Sequence, residues 1–395
     1  MKKIVLTAFA GLLVLNTMAQ VCGDRYLKKI YTNVNKTTVT YSTANSTSLV
    51  MDVYEPIGDT ATIRPLIILA HGGSFTGGDR TEGDIVTLCN NFAKRGYVTA
   101  SIEYRLAPNL LSMIQYNSAV DVVMKAISDG KAAVRWFRKD AATTNTYKID
   151  PNKIFIGGNS AGAVLAVHMA YIDNLSECPA AMQPIITSNG GLEGNSGNAG
   201  YSSAVSAVLN LAGGVHDVSM IGTGEEPIVS FHGDQDNVVP YTCANAQNGL
   251  TPVQLCGLGS MEPVLTAKGI NHVSKVYPGD GHVPWVSDAI KLNQVDSISA
   301  DFLYTLLCFT NVGVENNTTT NLNLYPNPTT NHFVIENEMQ ISTVSIANNL
   351  GQIVATNKVN DTKKRIDVSA LPVGIYTVKA QLVNGKYAVS KLVKE

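Results

Sequence analysis

Lys153-Ile154-Phe155-Ile156-Gly157 runs directly into Gly158-Asn159-Ser160-Ala161-Gly162, and that into Ala163-Val164-Leu165-Ala166-Val167-His168-Met169-Ala170. The first segment is short and apolar, as a buried strand is. The last is long enough and apolar enough for a buried helix. A Gly-x-Ser-x-Gly between them reads as a nucleophile elbow. The turn is so tight that the residues flanking Ser160 must lack bulky side chains. It lifts the Ser160 hydroxyl to the sheet edge and aims a helix N-terminus at any negative charge formed there.

The partners of such a serine follow in the chain. Asp236 lies in Phe231-His232-Gly233-Asp234-Gln235-Asp236-Asn237-Val238-Val239-Pro240, just past the apolar run Pro227-Ile228-Val229-Ser230-Phe231. His282 lies in Pro278-Gly279-Asp280-Gly281-His282-Val283-Pro284, after Val273-Ser274-Lys275-Val276-Tyr277. The order Ser, Asp, His differs from the two orders found in chymotrypsin-like and subtilisin-like enzymes. Asp234 is a second candidate for the acid. Upstream, His71-Gly72-Gly73-Ser74-Phe75-Thr76-Gly77-Gly78 follows the strand-like Pro65-Leu66-Ile67-Ile68-Leu69-Ala70. Small residues there let backbone N–H groups approach a substrate oxygen. The N–H of Gly73 or Ser74 would then join that of Ala161 in an oxyanion hole.

With these motifs the chain, over residues 22–310, resembles serine esterases of the α/β-hydrolase superfamily. Ser101-Ile102-Glu103-Tyr104-Arg105-Leu106-Ala107-Pro108 and Val134-Arg135-Trp136-Phe137 match as well. Ser74 stands where hormone-sensitive-lipase-like esterases usually have a third glycine, and Asn159 where they usually have aspartate. The His232-Gly233 to Val239-Pro240 stretch is closer to feruloyl and acetyl-xylan esterases or prolyl-oligopeptidase-type hydrolases. The resemblance implies an ester substrate, small molecule or polymer, and catalysis without metal or organic cofactor. The same triad also serves serine peptidases, and a surface protein that binds without catalysis is a third reading. Phe75, Asn159, His216 and Tyr201 are the expected substrate contacts. Tyr201 belongs to the Gly/Asn-rich segment 188–203, read either as a solvated insertion or as a mobile pocket rim. A polar rim there and at Ser74 points to small acyl groups such as acetyl, feruloyl or short-chain esters, or to polyesters. His71, His168 and His232 read as structural, and Glu103 with Arg105 as a structural ion pair.

Composition narrows the setting. The chain has 395 residues, 29 Lys+Arg against 31 Asp+Glu and a net charge of −2. Nothing in that balance points to nucleic acid. Met1-Lys2-Lys3, the apolar run Ile4 to Leu15 and the small-residue exit at Ala19 read as a signal peptide over 1–20. Export permits disulfides, and among six cysteines the nearest pair in sequence, Cys243 and Cys256, is the expected bridge.

From Pro65 onward, apolar strands near 66–70, 97–102, 153–157, 205–211, 227–231 and 273–277 alternate with helices near 83–95, 117–140, 161–173 and 286–307. That predicts an α/β fold with a mostly parallel sheet covered on both faces, preceded by antiparallel edge hairpins over 22–62. The texture changes after Cys308. Residues 311–321 read as a linker, and 322–395 as a small all-β sandwich with a turn about every 10 residues. Tyr325-Pro326-Asn327-Pro328, Leu371-Pro372-x-Gly374-x-Tyr376 and the final Lys391-Leu392-Val393-Lys394 resemble the C-terminal sorting domain of the type IX secretion system of Bacteroidota. The resemblance implies the outer-membrane secretion machinery as partner and a secreted or cell-surface location. A carbohydrate-binding sandwich is the alternative for this domain.

Overall fold

Ile67 and Leu69 alternate with Leu66, Ile68 and Ala70 along one fully buried strand, and each set packs against a different helical layer. A computed structural model describes residues 22–308, 322–348, 353–383 and 387–395. The expected signal peptide and linker lie outside the described residues. The chain divides into two compact units, 1–310 and 311–395.

The first unit opens with a hairpin, β1 (Val34–Ala44) and β2 (Thr47–Pro56). Then come β3 (Arg64–Ala70), α1 (Gly83–Ala93), β4 (Val98–Ile102), α2 (Tyr116–Ala142), β5 (Ile149–Asn159), α3 (Ala161–Tyr171), α4 (Gln183–Ser188), β6 (Ala207–Leu211) and β7 (Ile228–Gly233). A two-residue pair, β8 (Ala244–Asn245) and β9 (Gln254–Leu255), precedes α5 (Leu258–Ala267), β10 (His272–Tyr277) and α6 (Ala289–Cys308). Eight strands form one sheet in the order β1-β2-β4-β3-β5-β6-β7-β10. The strands from β4 to β10 pair in parallel, and β1 and β2 add an antiparallel edge.

Side chains alternate across this sheet with period two. Leu66 and Ile68 meet Val134, Phe137 and Leu165 from α2 and α3. Ile67 and Leu69 meet Leu88, Phe92 and Leu303 from α1 and α6. This double coverage makes the central strands apolar throughout and leaves only their C-terminal ends for polar chemistry. Two disulfides are present. Cys243–Cys256 closes a loop of sequence separation 13, and Cys22–Cys308 joins the two ends of the unit. Cys89 and Cys178 are buried and unpaired.

Two expectations need correction in this unit. Segment 188–203 is not the rim of a pocket beside Ser160. Asp129, fully buried on α2, accepts from Arg105 at 2.8 Å and from the Ser196 hydroxyl at 2.5 Å. Arg135 donates to the carbonyls of Glu193 and Gly197, and Asn198 to that of Tyr41. The loop is a strap fastened across α2. Glu103 and Arg105 do not pair with each other, because they project toward different neighbours: Glu103 bonds Arg80 at 2.9 Å and Arg105 bonds Asp129.

The second unit holds β11 (Asn323–Tyr325), β12 (His332–Ala347), β13 (Ile353–Asp367), β14 (Gly374–Leu382) and β15 (Tyr387–Lys394). These strands form an all-β unit with antiparallel pairing throughout. Two of the strands are long, and β12 carries bulge irregularities between Glu336 and Ile341 that bend it. Its first half pairs with β11 and its second with β14, while β13 runs beside both halves. Thr329 bridges Lys394, so the strand order is joined end to end around a core that includes Phe333, Ile335, Val378 and Leu392.

Removing Asp129 would leave the Arg105 guanidinium buried without its carboxylate, a change that typically costs about 3–5 kcal/mol. Asp129→Ala is therefore expected to lower the denaturation midpoint of the first unit strongly. Both tryptophans, Trp136 and Trp285, lie in that unit, so tryptophan fluorescence in urea reads its unfolding.

Candidate active site

Ser160 sits between β5 and α3 with φ 53° and ψ −115°, a backbone conformation a non-glycine residue holds only when its surroundings enforce it. They do. A Cβ on Gly162 would lie 2.1 Å from the Ala70 carbonyl oxygen, and one on Gly158 2.5 Å from the same atom. The Ser160 N–H donates to Leu211 O at 2.8 Å, which ties the turn to β6.

His282 brings the three side chains together. Its Nδ1 lies 2.6 Å from Asp236 Oδ2, and its Nε2 2.7 Å from Ser160 Oγ. An ionised carboxylate can only accept, so Nδ1 carries the proton and donates to Asp236. Nε2 then presents its lone pair to the Ser160 hydroxyl, which donates to it. Asp236 is buried, and burial alone would raise its pKa. Hydrogen bonds from His232 and His282 outweigh that and hold it at about 2. Its other oxygen accepts from the N–H groups of Val238 and Val239. Asp234, the competing acid, instead accepts from the Gly279 N–H at 2.8 Å and braces the loop that carries His282.

His232 contributes more to this site than its sequence reading allowed. Its Nε2 lies 2.9 Å from Val239 O and 3.2 Å from Asp236 Oδ2, so it holds the acid from a second side. The i, i+4 spacing of His232 and Asp236 across a tight turn was the available signal. His168 is structural, as expected. Burial pushes its pKa down to about 4, its Nδ1 bonds Val164 O, and its Nε2 accepts from the His216 N–H.

The loop after β3 places Gly73, Ser74 and Phe75 beside the serine, all with positive φ. Gly73 is confined by sterics, since a Cβ there would stand 2.1 Å from Gly77 O. The N–H groups of Gly73, Ser74 and Ala161 have no hydrogen-bond partner among the described residues. They are thus free to receive an oxygen. A cavity of about 370 Å³ opens at this point, and Ser74, Phe75, Ser160, Ala161 and His216 line it. Most of the rest of its wall is apolar, including Met113, Ile114, Met124, Val164, Val239 and Leu250.

Two expected contacts lie elsewhere. Asn159 is buried and does not line the cavity. Tyr201 lines a different cleft with Lys131, Asp173 and Glu226, because the strap that carries it lies over α2. Sequence reasoning missed the loop between Cys243 and Cys256 as a wall of the cavity, and the segment around Leu110–Met113 as its mouth. Neither carries a motif. Among the described residues no cluster of metal-ligating side chains is present.

Comparison with known proteins agrees with this architecture. The BD-FAE family profile matches residues 51–221, and that of the secretion system C-terminal sorting domain matches 323–395. The chain is 30% identical over 141 residues to arylacetamide deacetylase of Oryctolagus cuniculus, covering 35% of this chain and 32% of the relative. It is 30% identical over 148 residues to the quorum-quenching protein AidA of Acinetobacter baumannii, covering 34% and 44%. The chain thus spans less than half the length of these curated relatives. Among solved structures, Thermogutta terrifontis esterase 2 phosphorylated by paraoxon aligns with a TM-score of 0.50 at 20% identity, over 69% of this chain and 94% of that one. At that identity the likeness establishes the fold.

The depressed pKa of Asp236 has a measurable consequence. Its folded value of about 2 lies below the ~3.9 of an exposed aspartate. The unfolded state therefore binds the proton more readily, and the stability gained is complete above about pH 4 and lost as pH falls toward 2. The stability difference between wild type and Asp236→Asn should be flat above pH 4–5 and shrink below it, as read by denaturant unfolding across that range.

Proposed function

We propose that this chain, an α/β-hydrolase with a secretion sorting domain at its C-terminus, is an exported carboxylic-ester hydrolase. The observation that carries the reading is the unbroken hydrogen-bonded line from Asp236 through His282 to Ser160, opening on an apolar cavity. Ser160 Oγ attacks the acyl carbon while His282 Nε2 takes its proton. The carbonyl oxygen becomes an oxyanion held by the N–H of Ala161 and of Gly73 or Ser74. His282 then protonates the leaving alcohol. Water, activated by the same imidazole, releases the acid and restores Ser160. Asp236 keeps the imidazole in the required tautomer and stabilises it when protonated.

The cavity also bears on the substrate. The expected preference for small acyl groups rested on a polar rim at Ser74 and segment 188–203, and that segment is fastened elsewhere. The wall is mainly apolar instead. Leu110 and Leu250 at its mouth are 69% and 75% exposed. Neither 106–120 nor 237–261, the two segments that build the mouth, contains a charged residue. This favours esters of uncharged, apolar acyl groups larger than acetyl. Export and the second unit belong to the same proposal. The sorting-domain match supports delivery to the cell surface or medium through the outer-membrane secretion machinery, with residues 322–395 serving export and not catalysis.

Ser160→Ala should reduce kcat on a p-nitrophenyl ester by a factor on the order of 10⁶ while leaving the fold intact. Asp236→Asn should cost about 10⁴, and Asp234→Asn far less. Aminoacyl-nitroanilides should not turn over, and their efficient cleavage would make the protein a peptidase. In an acyl series from acetyl upward, kcat/KM should rise roughly fourfold per buried methylene until the cavity is filled. A maximum at acetyl would contradict the apolar-acyl reading. A chain ending near residue 311 should retain its kcat on a soluble ester, and in its host should fail to reach the surface.

A further inference from the structure

The Ser74 hydroxyl has one hydrogen-bond partner among the described residues. It accepts from Gln247 Nε2 at 2.7 Å. A hydroxyl is both donor and acceptor, so a donor already in place on Ser74 Oγ leaves the Ser74 proton to be aimed at another acceptor. Ser74 lines the same cavity as Ser160 and Ala161, in the loop whose free N–H groups face it. Its backbone lies in the left-handed region at φ 57°, next to Gly73, whose own position excludes a side chain.

Gln247 is in turn held firmly. It lies in the loop closed by Cys243–Cys256. Its N–H donates to Val238 O at 2.8 Å, and the next residue, Asn248, donates to Asn237 O at 2.7 Å. The Val238 N–H donates to Asp236 Oδ1. A continuous path thus runs from the carboxylate of Asp236, through its own turn, to Gln247 and across the cavity to Ser74.

We propose that the Ser74 hydroxyl is a further catalytic group, a side-chain donor to the oxyanion beside the backbone N–H groups, and that Gln247 is its positioning residue. The inference rests on the ester-hydrolysis reading of the site. In the ground state the Ser74 proton faces a weak carbonyl acceptor. As the tetrahedral intermediate forms, that oxygen becomes an anion and the hydrogen bond strengthens. The proton stays on Ser74 throughout and no bond to it is made or broken. Such an interaction acts on kcat more than on KM, because it is stronger in the transition state than in the bound substrate.

The test compares full-length wild type with Ser74→Ala, Gln247→Met, Gln247→Glu and the Ser74→Ala/Gln247→Met double variant on p-nitrophenyl butyrate, with Ser160→Ala as reference. Ser74→Ala should lower kcat about 10- to 100-fold with KM nearly unchanged. It should weaken inhibition by butylboronic acid, which forms a tetrahedral anion on Ser160, by a similar factor. Gln247→Met should lose part of the same effect, and the double variant no more than Ser74→Ala alone. Gln247→Glu is the discriminating case. A carboxylate can only accept, so it draws the Ser74 proton away from the oxyanion, and the loss should match or exceed that of Ser74→Ala. Were Gln247 merely a packing residue of the loop, Gln247→Glu would behave like Gln247→Met. A wild-type kcat and boronate affinity in Ser74→Ala, with Ser160→Ala inactive, overturns this inference alone. Activity persisting in Ser160→Ala overturns the hydrolase reading beneath it.

Discussion

The approach of α3 to β3 is the constraint on which this molecule depends. The N-terminus of the helix comes so close to the Ala70 carbonyl that neither Gly158 nor Gly162 has space for a Cβ. Ser160, between them, is forced to positive φ. Strain of this kind costs on the order of 1–3 kcal/mol and persists only where packing over-determines it. Here a sheet buried on both faces supplies that packing. In return the nucleophile stands clear of the sheet, and the first N–H of α3 is left without an intrahelical partner at the point where charge develops. The positions of Asp236 and His282 follow, since β7 and β10 end at the same edge of the same sheet.

The legible part of this architecture was the part governed by short-range rules. The alternation of apolar strands with helix-length segments placed β3 to β7, β10 and the four long helices within a few residues of where they lie. Glycines at 158 and 162 marked a turn whose sterics leave almost no alternative, and a strand end before Asp236 or His282 is a local signal. The Cys243–Cys256 bridge was legible for the same reason, as it joins neighbours in sequence. Cys22–Cys308 was not, because nothing local couples residues 286 apart.

What sequence could not convey was where irregular segments lie. Residues 188–203 look like a free loop by composition, yet one buried carboxylate, Asp129, captures them from a helix some 60 positions earlier. That displaced Tyr201 from the site. Conversely, the stretch from Cys243 to Cys256 and the turn at Leu110–Met113 look featureless and prove to wall the cavity. Burial of Asn159 and the mismatch of Glu103 with Arg105 have the same origin. Side chains at strand ends choose partners in three dimensions, and adjacency in sequence says little about which. In the second unit the all-β character was readable, but the bulges within β12 leave no compositional trace.

The bridge between Cys22 and Cys308 makes the first unit a covalent ring. All eight strands of its sheet lie between the two cysteines. Tension applied at the two points where the polypeptide leaves that ring would therefore pass from sulfur to sulfur and largely bypass the sheet. The ring would let the hydrogen-bonded core stay mechanically idle while the staple carries the force. A single proteolytic nick within the ring would also leave both fragments tethered, so damage to a surface loop would not by itself release half of the site.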